Sequence, residues 1–257
     1  MLEDILNDFR EEVVTLFRDR KYGNFLDCIS RFYNYSPRNI LLIYAQNKNA
    51  TSVASYTDWK RHGYQVKKGE KGIKIIRPIK FIDDATGEEA INFRTGYVFD
   101  ISQVICKNPK PDPKPDFDLE MALESLLLDT RTNIKIVDDI PEIQCRGYYS
   151  RTTNEIVIKR DTIQKMFEVL LHEKRHSLRT TRVSTDIEEV IVECAAYVAS
   201  KHFGIERNTS SMYVANFCND NSFSEIDTFL VDIINLSKKL INWVKKNTHL
   251  QGKESVA

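Results

Sequence analysis

Residues 107–116 read Lys-Asn-Pro-Lys-Pro-Asp-Pro-Lys-Pro-Asp. Each proline fixes its own φ and removes a backbone donor, so this stretch builds neither a helix interior nor an inner strand. Prolines alternating with polar residues favour an extended polyproline geometry, which is a linker. A chain of 257 residues then divides into two modest domains, 1–106 and 117–257. The halves differ in charge although the whole is neutral. Residues 1–110 carry 18 basic and 14 acidic side chains, and the remainder carries 19 and 23. Eight basic residues fall between Lys60 and Lys80 against one acid, Glu70. Such a concentration suits a polyanionic partner for the first half.

The second half carries His172-Glu173-Lys174-Arg175-His176 behind the apolar run Met166–Leu171. On a helix, residues four apart share a face, so the two imidazoles can hold one zinc ion. Glu173 sits beside them, placed to deprotonate a metal-bound water. Lys174 and Arg175 read as the solvated side of that helix. A zinc peptidase needs three protein ligands and one open position. Downstream, a second helical pattern buries Val190, Cys194, Ala195 and Val198 and places Glu189 and Glu193 one turn apart. Glu189 can be the third ligand, with Glu193 holding a ligand histidine in its tautomer, and the reverse assignment is open.

In the first half, residues 2–19 and Phe25–Tyr33 pattern as amphipathic helices. Ser36 and Pro37 cap and open the next, Arg38–Asn47, on which Asn39 and Gln46 stand exposed on an apolar surface. A short helix at Tyr56–Lys60 leads into the turn-rich segment Gly63–Gly72, then a strand ending near Pro78 and a returning strand, Phe93–Ile101. Lysines that track phosphate beside aromatics that stack on bases make a platform for single-stranded nucleic acid. The candidate contacts are Lys60, Arg61, Tyr64, Lys67, Lys68, Lys71 and Lys74, with Asn39 and Gln46. Trp59 reads as core.

After the linker come a helix from Leu119 to Thr130, a strand at Asn133–Val137 and paired strands at Gly147–Ser150 and Glu155–Ile158. A strand edge beside the metal helix can hold an extended peptide by backbone hydrogen bonds, and Ile156–Ile158 is the candidate. Tyr148 and Tyr149 are candidates for assisting an oxyanion. A helix from Ile226 to Val244 closes the domain. The five cysteines are scattered, without a Cys-x-x-Cys, which fits reduced thiols in a cytoplasm. The first residues lack the pattern of a signal peptide, and no stretch is long enough to span a bilayer. The fold class is α+β.

Tyr35-Ser36-Pro37-Arg38-Asn39, Gln46, Ala50–Val53, Trp59, Val66–Ile73, Pro78 and Val98-Phe99-Asp100-Ile101-Ser102-Gln103 together resemble the N-terminal domain of ArdC-type antirestriction proteins. Gly147-Tyr148-Tyr149, the His172–His176 motif, Glu189 and Glu193 with Ala196-Tyr197, and Phe203-Gly204-Ile205 resemble the zincin-like metallopeptidase domain that follows it in that family. The resemblance implies a protein of a plasmid, phage or conjugative element that helps incoming DNA past restriction. It implies single-stranded DNA binding, a gluzincin-like domain with zinc on His172, His176 and Glu189, and Glu173 as general base. It leaves two alternatives open. One is a non-catalytic DNA-protecting protein with a structural or vestigial zinc site. The other is a DNA-directed protease whose substrate is a host protein.

Overall fold

The computed structural model describes residues 4, 11–12, 15–17, 21–82, 87–106, 117–141, 145–178, 185–206 and 226–248, save the side chains of 185 and 186. The proline-rich linker, residues 83–86, residues 207–221 and most of the helix expected over 2–19 lie outside the described residues. The described residues form two compact units. The first comprises 4, 11–12 and 34–106; the second comprises 15–33 and the described residues between 117 and 248. Residues 15–33 therefore group with the second half, not with the first half they adjoin in sequence. The reason is α1 (Gly23–Phe32), whose apolar face of Phe25, Leu26, Ile29 and Phe32 is buried. It packs on a helix of the second unit, where Tyr197 Oη donates to Asp27 Oδ1 at 2.9 Å and His202 Nδ1 donates to the Ser30 carbonyl at 3.0 Å.

The first unit begins with α2 (Pro37–Gln46). Ser36 caps it by accepting from the Asn39 N–H, with Pro37 at its first position. Val53–Ala54 (β1), Glu89–Asp100 (β4) and Ile73–Ile82 (β3) form an antiparallel sheet in that order. Tyr64–Val66 (β2) and Val104–Cys106 (β5) form a separate antiparallel ribbon. Between them lies α3 (Tyr56–Arg61), whose Trp59 is buried with Ala54 and Val104 and donates Nε1–H to the Phe99 carbonyl at 2.7 Å. Trp59 is thus core, as its sequence context suggests.

Two expectations fail here. Pro78 does not end its strand: β3 runs on to Ile82, in register with β4 to the end. β3 is an edge strand, and the backbones of Lys74 and Ile76 face outward to α2. Pro78 shares their parity, so the N–H it lacks belongs to the unpaired edge and no ladder bond is lost. Nor is Asn39 exposed. It is buried, donating Nδ2–H to the Ile76 carbonyl and accepting the Ile76 N–H, both at 2.8 Å. Gln46 does the same one step along, to the Lys74 carbonyl at 2.8 Å and from the Lys74 N–H at 2.9 Å. Seven residues apart, the two amides share one helix face and stand in for a missing neighbour strand.

Asp100 closes the sheet. Its carboxylate accepts the N–H groups of Thr51 at 2.7 Å and Ser52 at 3.2 Å, and the hydroxyl of Ser102 at 2.6 Å. Burial pushes this carboxyl up, but the bonds from Ser102, Thr51 and Ser52 outweigh it and hold it below the usual range. With Gln103 it makes a capping box over a 3-10 turn, Ile101–Gln103.

The second unit holds α4 (Leu119–Leu127) and a three-stranded sheet in the order β6 (Asn133–Val137), β8 (Glu155–Lys159), β7 (Gly147–Ser150). β6 and β8 are parallel, and β7 returns antiparallel. The candidate edge, Ile156–Ile158, is therefore the middle strand, buried and paired on both sides; β6 and β7 are the edges. Three helices complete the unit: α5 (Ile163–Ser177), α6 (Thr185–His202) and α7 (Ile226–Asn247). No described helix is long and apolar enough to cross a membrane.

Candidate metal centre

The α5 helix starts at Thr162, whose side chain accepts from the Lys165 N–H, and buries Met166, Phe167, Leu170 and Leu171. That stripe fixes its rotation and turns the His172/His176 face toward α6. Lys174 and Arg175, expected in solvent, are buried at 3% and 2% exposure. Lys174 Nζ donates to Asp129 Oδ2 and Thr132 Oγ1, each at 2.7 Å, and lies 4.7 Å above the Trp243 ring. Trp243 Nε1–H donates to the same Asp129 oxygen at 2.8 Å. Burial pushes the Asp129 carboxyl up, and Lys174, the Arg131 N–H and Trp243 more than offset that, holding it below its ordinary value. Arg175 Nη2 donates to the Glu188 carbonyl at 3.2 Å, and Nη1 lies 3.7 Å from the Glu188 carboxylate. The two cations between the histidines thus tie α5 to its neighbours from the back. Their length lets them reach partners that a solvated reading had no means to supply.

On the front, one donor atom each from His172, His176 and Glu189 lies within 4.8 Å of the others. Glu189 reaches both rings: His172 Nε2 is 3.7 Å from Oε2, and His176 Nε2 is 3.9 Å from Oε1. Tetrahedral ligands at about 2.0–2.2 Å from a zinc-sized ion stand roughly 3.4 Å apart. Donors that all lie within 4.8 Å of one another reach that spacing by side-chain adjustments of up to about 1.4 Å. Glu193, one turn on, lies 3.5 Å from His172 Nδ1, the nitrogen turned away from Glu189. Of the two acids, Glu189 faces the donor cluster and Glu193 faces the back of one imidazole.

Glu173 is buried at 9% exposure, one position along the helix from His172. Burial raises its carboxyl, with His172 pulling down, Glu189 pushing up and an N–H from Tyr149 pulling down, and the net shift is upward. The Tyr149 N–H comes from the free edge of β7. A Cβ on Gly147 would meet Val169 Cγ1 at 2.5 Å and the Val157 carbonyl at 2.9 Å, so only glycine lets β7 lie this close to α5. Side chains alternate along a strand. Tyr148 therefore projects from the face opposite Gly147, away from α5. Tyr149 Oη donates to Asn154 Oδ1 at 3.1 Å, at the β7–β8 turn. Beyond Val169 a cavity of about 600 Å³ opens, lined by Ile140, Arg146, Lys159, Arg160 and Lys165 among others.

In the first unit the candidate DNA contacts separate. Lys60, Arg61, Lys67, Lys68 and Lys71 are exposed and Lys74 is half-buried. Arg61 pairs with Asp58 at 3.0 Å, and Lys67 Nζ donates to the Ser102 carbonyl at 2.7 Å. Tyr64 is half-buried against Trp59, ring centroids 5.0 Å apart. Asn39 and Gln46 are engaged with β3 and present no free amide. Sequence reasoning missed the apolar outer half of the β3–β4 hairpin, where Phe93 and Tyr97 are exposed at 65% and 53%. The signal was there: Ile91, Phe93 and Tyr97 share one strand parity.

A two-unit α+β chain with a His-His-Glu cluster beside a buried glutamate is the class defined by this fold and site. Residues 1–99 match the family model described as the N-terminal domain of the anti-restriction factor ArdC. The chain is 29% identical over 280 residues to an uncharacterized protein of Bacillus anthracis, across 87% of this chain and 48% of the relative. It spans about half the length of that curated relative. Two crystal structures of the antirestriction protein ArdC from plasmid R388 share the fold. The metal-free one has a TM-score of 0.52 at 19% identity, covering 85% of this chain and 87% of that one. The Mn(II)-bound one has a TM-score of 0.61 at 15% identity, covering 96% and 99%. The match to the ArdC N-terminal domain is confined to the first 99 residues, and the fold shared with the R388 protein extends over most of the chain.

Proposed function

We propose that this chain is an antirestriction-type protein of a mobile element that binds single-stranded DNA and hydrolyses peptide bonds at a divalent metal. The observation that carries the second part is the convergence of His172, His176 and Glu189 donors within 4.8 Å beside the buried Glu173. His172, His176 and Glu189 would hold the ion, zinc being the expectation from the donor set and Mn(II) the ion bound by the R388 protein. A divalent ion there supplies Lewis-acid polarisation of a water and of the scissile carbonyl. Glu173 accepts the water's proton; its upward-shifted carboxyl suits a group that takes a proton and hands it to the leaving amine. Glu193 holds the His172 Nδ1–H and so sets which nitrogen faces the ion. The Tyr149 N–H steadies the Glu173 carboxylate. The free edge of β7 offers backbone hydrogen bonds to an extended peptide, and the cavity past Val169 offers room for a side chain. Tyr148, on the far face, takes no part.

The test measures metal content and peptide hydrolysis together. Purified protein should hold about one divalent ion per chain, and His176→Ala should lose it. Glu173→Gln should keep the ion and lose hydrolysis by about 10²–10⁴-fold. No ion after reconstitution would overturn the metal reading. An ion retained with hydrolysis undiminished in Glu173→Gln would overturn the role of Glu173. Antirestriction that survives Glu173→Gln would make the protein a DNA shield whose metal is structural.

A further inference from the structure

The first unit exposes a surface that the basic segment at residues 60–72 does not include. β3 and β4 pair in strict register, so directly opposed residues share a face. Lys74 opposes Tyr97, Pro78 opposes Phe93, and Lys80 opposes Ile91, all on one face. Phe93, Ile91 and Tyr97 are exposed at 65%, 59% and 53%, an unusual outlay of apolar surface for one small hairpin. On the other face Arg77 opposes Arg94. Like charges directly opposed cost stability. No salt bridge to either guanidinium is found among the described residues. The Arg77 stem lies against Gly96, where a Cβ would meet its Cδ at 2.9 Å. Lys80 has a carboxylate nearby, Glu89 at 3.2 Å, but both are 72% exposed, so the pair is weak and exchangeable.

We infer that the β3–β4 hairpin is the stacking platform for single-stranded nucleic acid, with bases on Phe93 and Tyr97, phosphates on Lys74 and Lys80 of the same face, and Arg77 and Arg94 on the reverse face adding to the positive field. This rests on the reading of the first unit as a single-strand binder and moves the aromatic contacts away from Tyr64, which is packed on Trp59. Phe93 and Tyr97 stand four residues apart on one face, roughly 14 Å along the strand. Aromatic faces without hydrogen-bond readout accept any base, so binding is sequence-tolerant. A protein-docking face would be depleted of charge at its centre. Here cations flank each exposed aromatic, which suits a polyanion that also carries π-faces.

The experiment titrates fluorescein-labelled oligo-dT with the full chain over a range of salt, reading anisotropy. Phe93→Ala/Tyr97→Ala should weaken binding by about 5- to 150-fold for each ring removed, with circular dichroism unchanged. Lys74→Ala/Lys80→Ala should flatten the salt slope by about 1.4. Phe93→Trp should keep the affinity and show tryptophan emission quenched by the oligonucleotide. If the wild-type chain binds oligo-dT but the folded aromatic double variant is within two-fold of it, the platform is overturned and the patch is left to a protein partner. An unquenched Phe93→Trp with full affinity overturns it equally. If the wild-type chain binds no oligonucleotide, the single-strand reading of the whole unit falls with it.

Discussion

The two units place the same residue types in opposite ways. In the second unit, Lys174 and Arg175 are buried to 3% and 2% exposure behind the histidine face, each with an acid on another element. In the first, Lys67, Lys68 and Lys71 stay in solvent while Phe93, Ile91 and Tyr97 are left outside with them. The contrast shows where each unit invests. Charges buried at the back of α5 hold a helix whose front must present two imidazoles to Glu189 of α6 at fixed separation. An uncovered aromatic face and a loose cationic fringe hold nothing in place and suit a ligand that arrives from outside.

The sharpest way to break the comparison is Lys174→Ala. It strands the buried Asp129 carboxylate and should cost about 3–5 kcal/mol, read from the urea midpoint; Lys174→Met with Asp129→Leu should recover part of that. A loss under 1 kcal/mol would return Lys174 to the solvated class. Next comes pH. Burial chiefly pulls His202 down to about 4 from 6.5, the Ser30 carbonyl opposing and Lys245 assisting. Its folded pKa lies below its unfolded one, so the unfolded chain takes up the proton first. The stability it supports is present above pH 6.5 and is lost as pH falls toward 4, by about 3 kcal/mol at most. His202→Phe should flatten that part of the stability profile, and an unchanged slope would assign the dependence to another group.

In the first unit, Asn39→Ala leaves the Ile76 N–H and carbonyl without their amide partner. It should cost about 1–3 kcal/mol and speed hydrogen exchange at Ile76. Glu193→Gln should weaken metal affinity by about 10- to 100-fold in a chelator competition while leaving the fold intact. The smallest effect on stability belongs to Lys67→Ala/Lys68→Ala/Lys71→Ala, within about 0.5 kcal/mol. The same variant should lower the salt slope of oligonucleotide binding by about 2 if all three contact phosphate. A stability loss there, or none at Lys174, would erase the distinction between the units.

Local pattern carried much of this structure. The caps at Ser36 and Pro37, the helix of His172 and His176 and the paired strands around Arg151–Asn154 follow from residues within a few positions of one another. The spacing of Glu189 and Glu193 put both acids on one helix face. It did not say which of them meets the two imidazoles, because that depends on how α6 is rotated and slid against α5. The grouping of α1 with the second unit was equally invisible, since its partners Tyr197 and His202 lie about 170 residues away.

The sequence by itself determined the i, i+4 histidine pair with a glutamate beside it, the core tryptophan and the alternation of the β3–β4 hairpin, since each depends on a period of 3.6 or 2. Tertiary structure alone decided that Lys174 and Arg175 are buried, that Asn39 and Gln46 seal a strand edge, that β7 and not β8 is a free edge, and that Glu189 faces the ring nitrogens. A polar side chain is buried only where a distant partner repays its desolvation, and no local period encodes where that partner will stand.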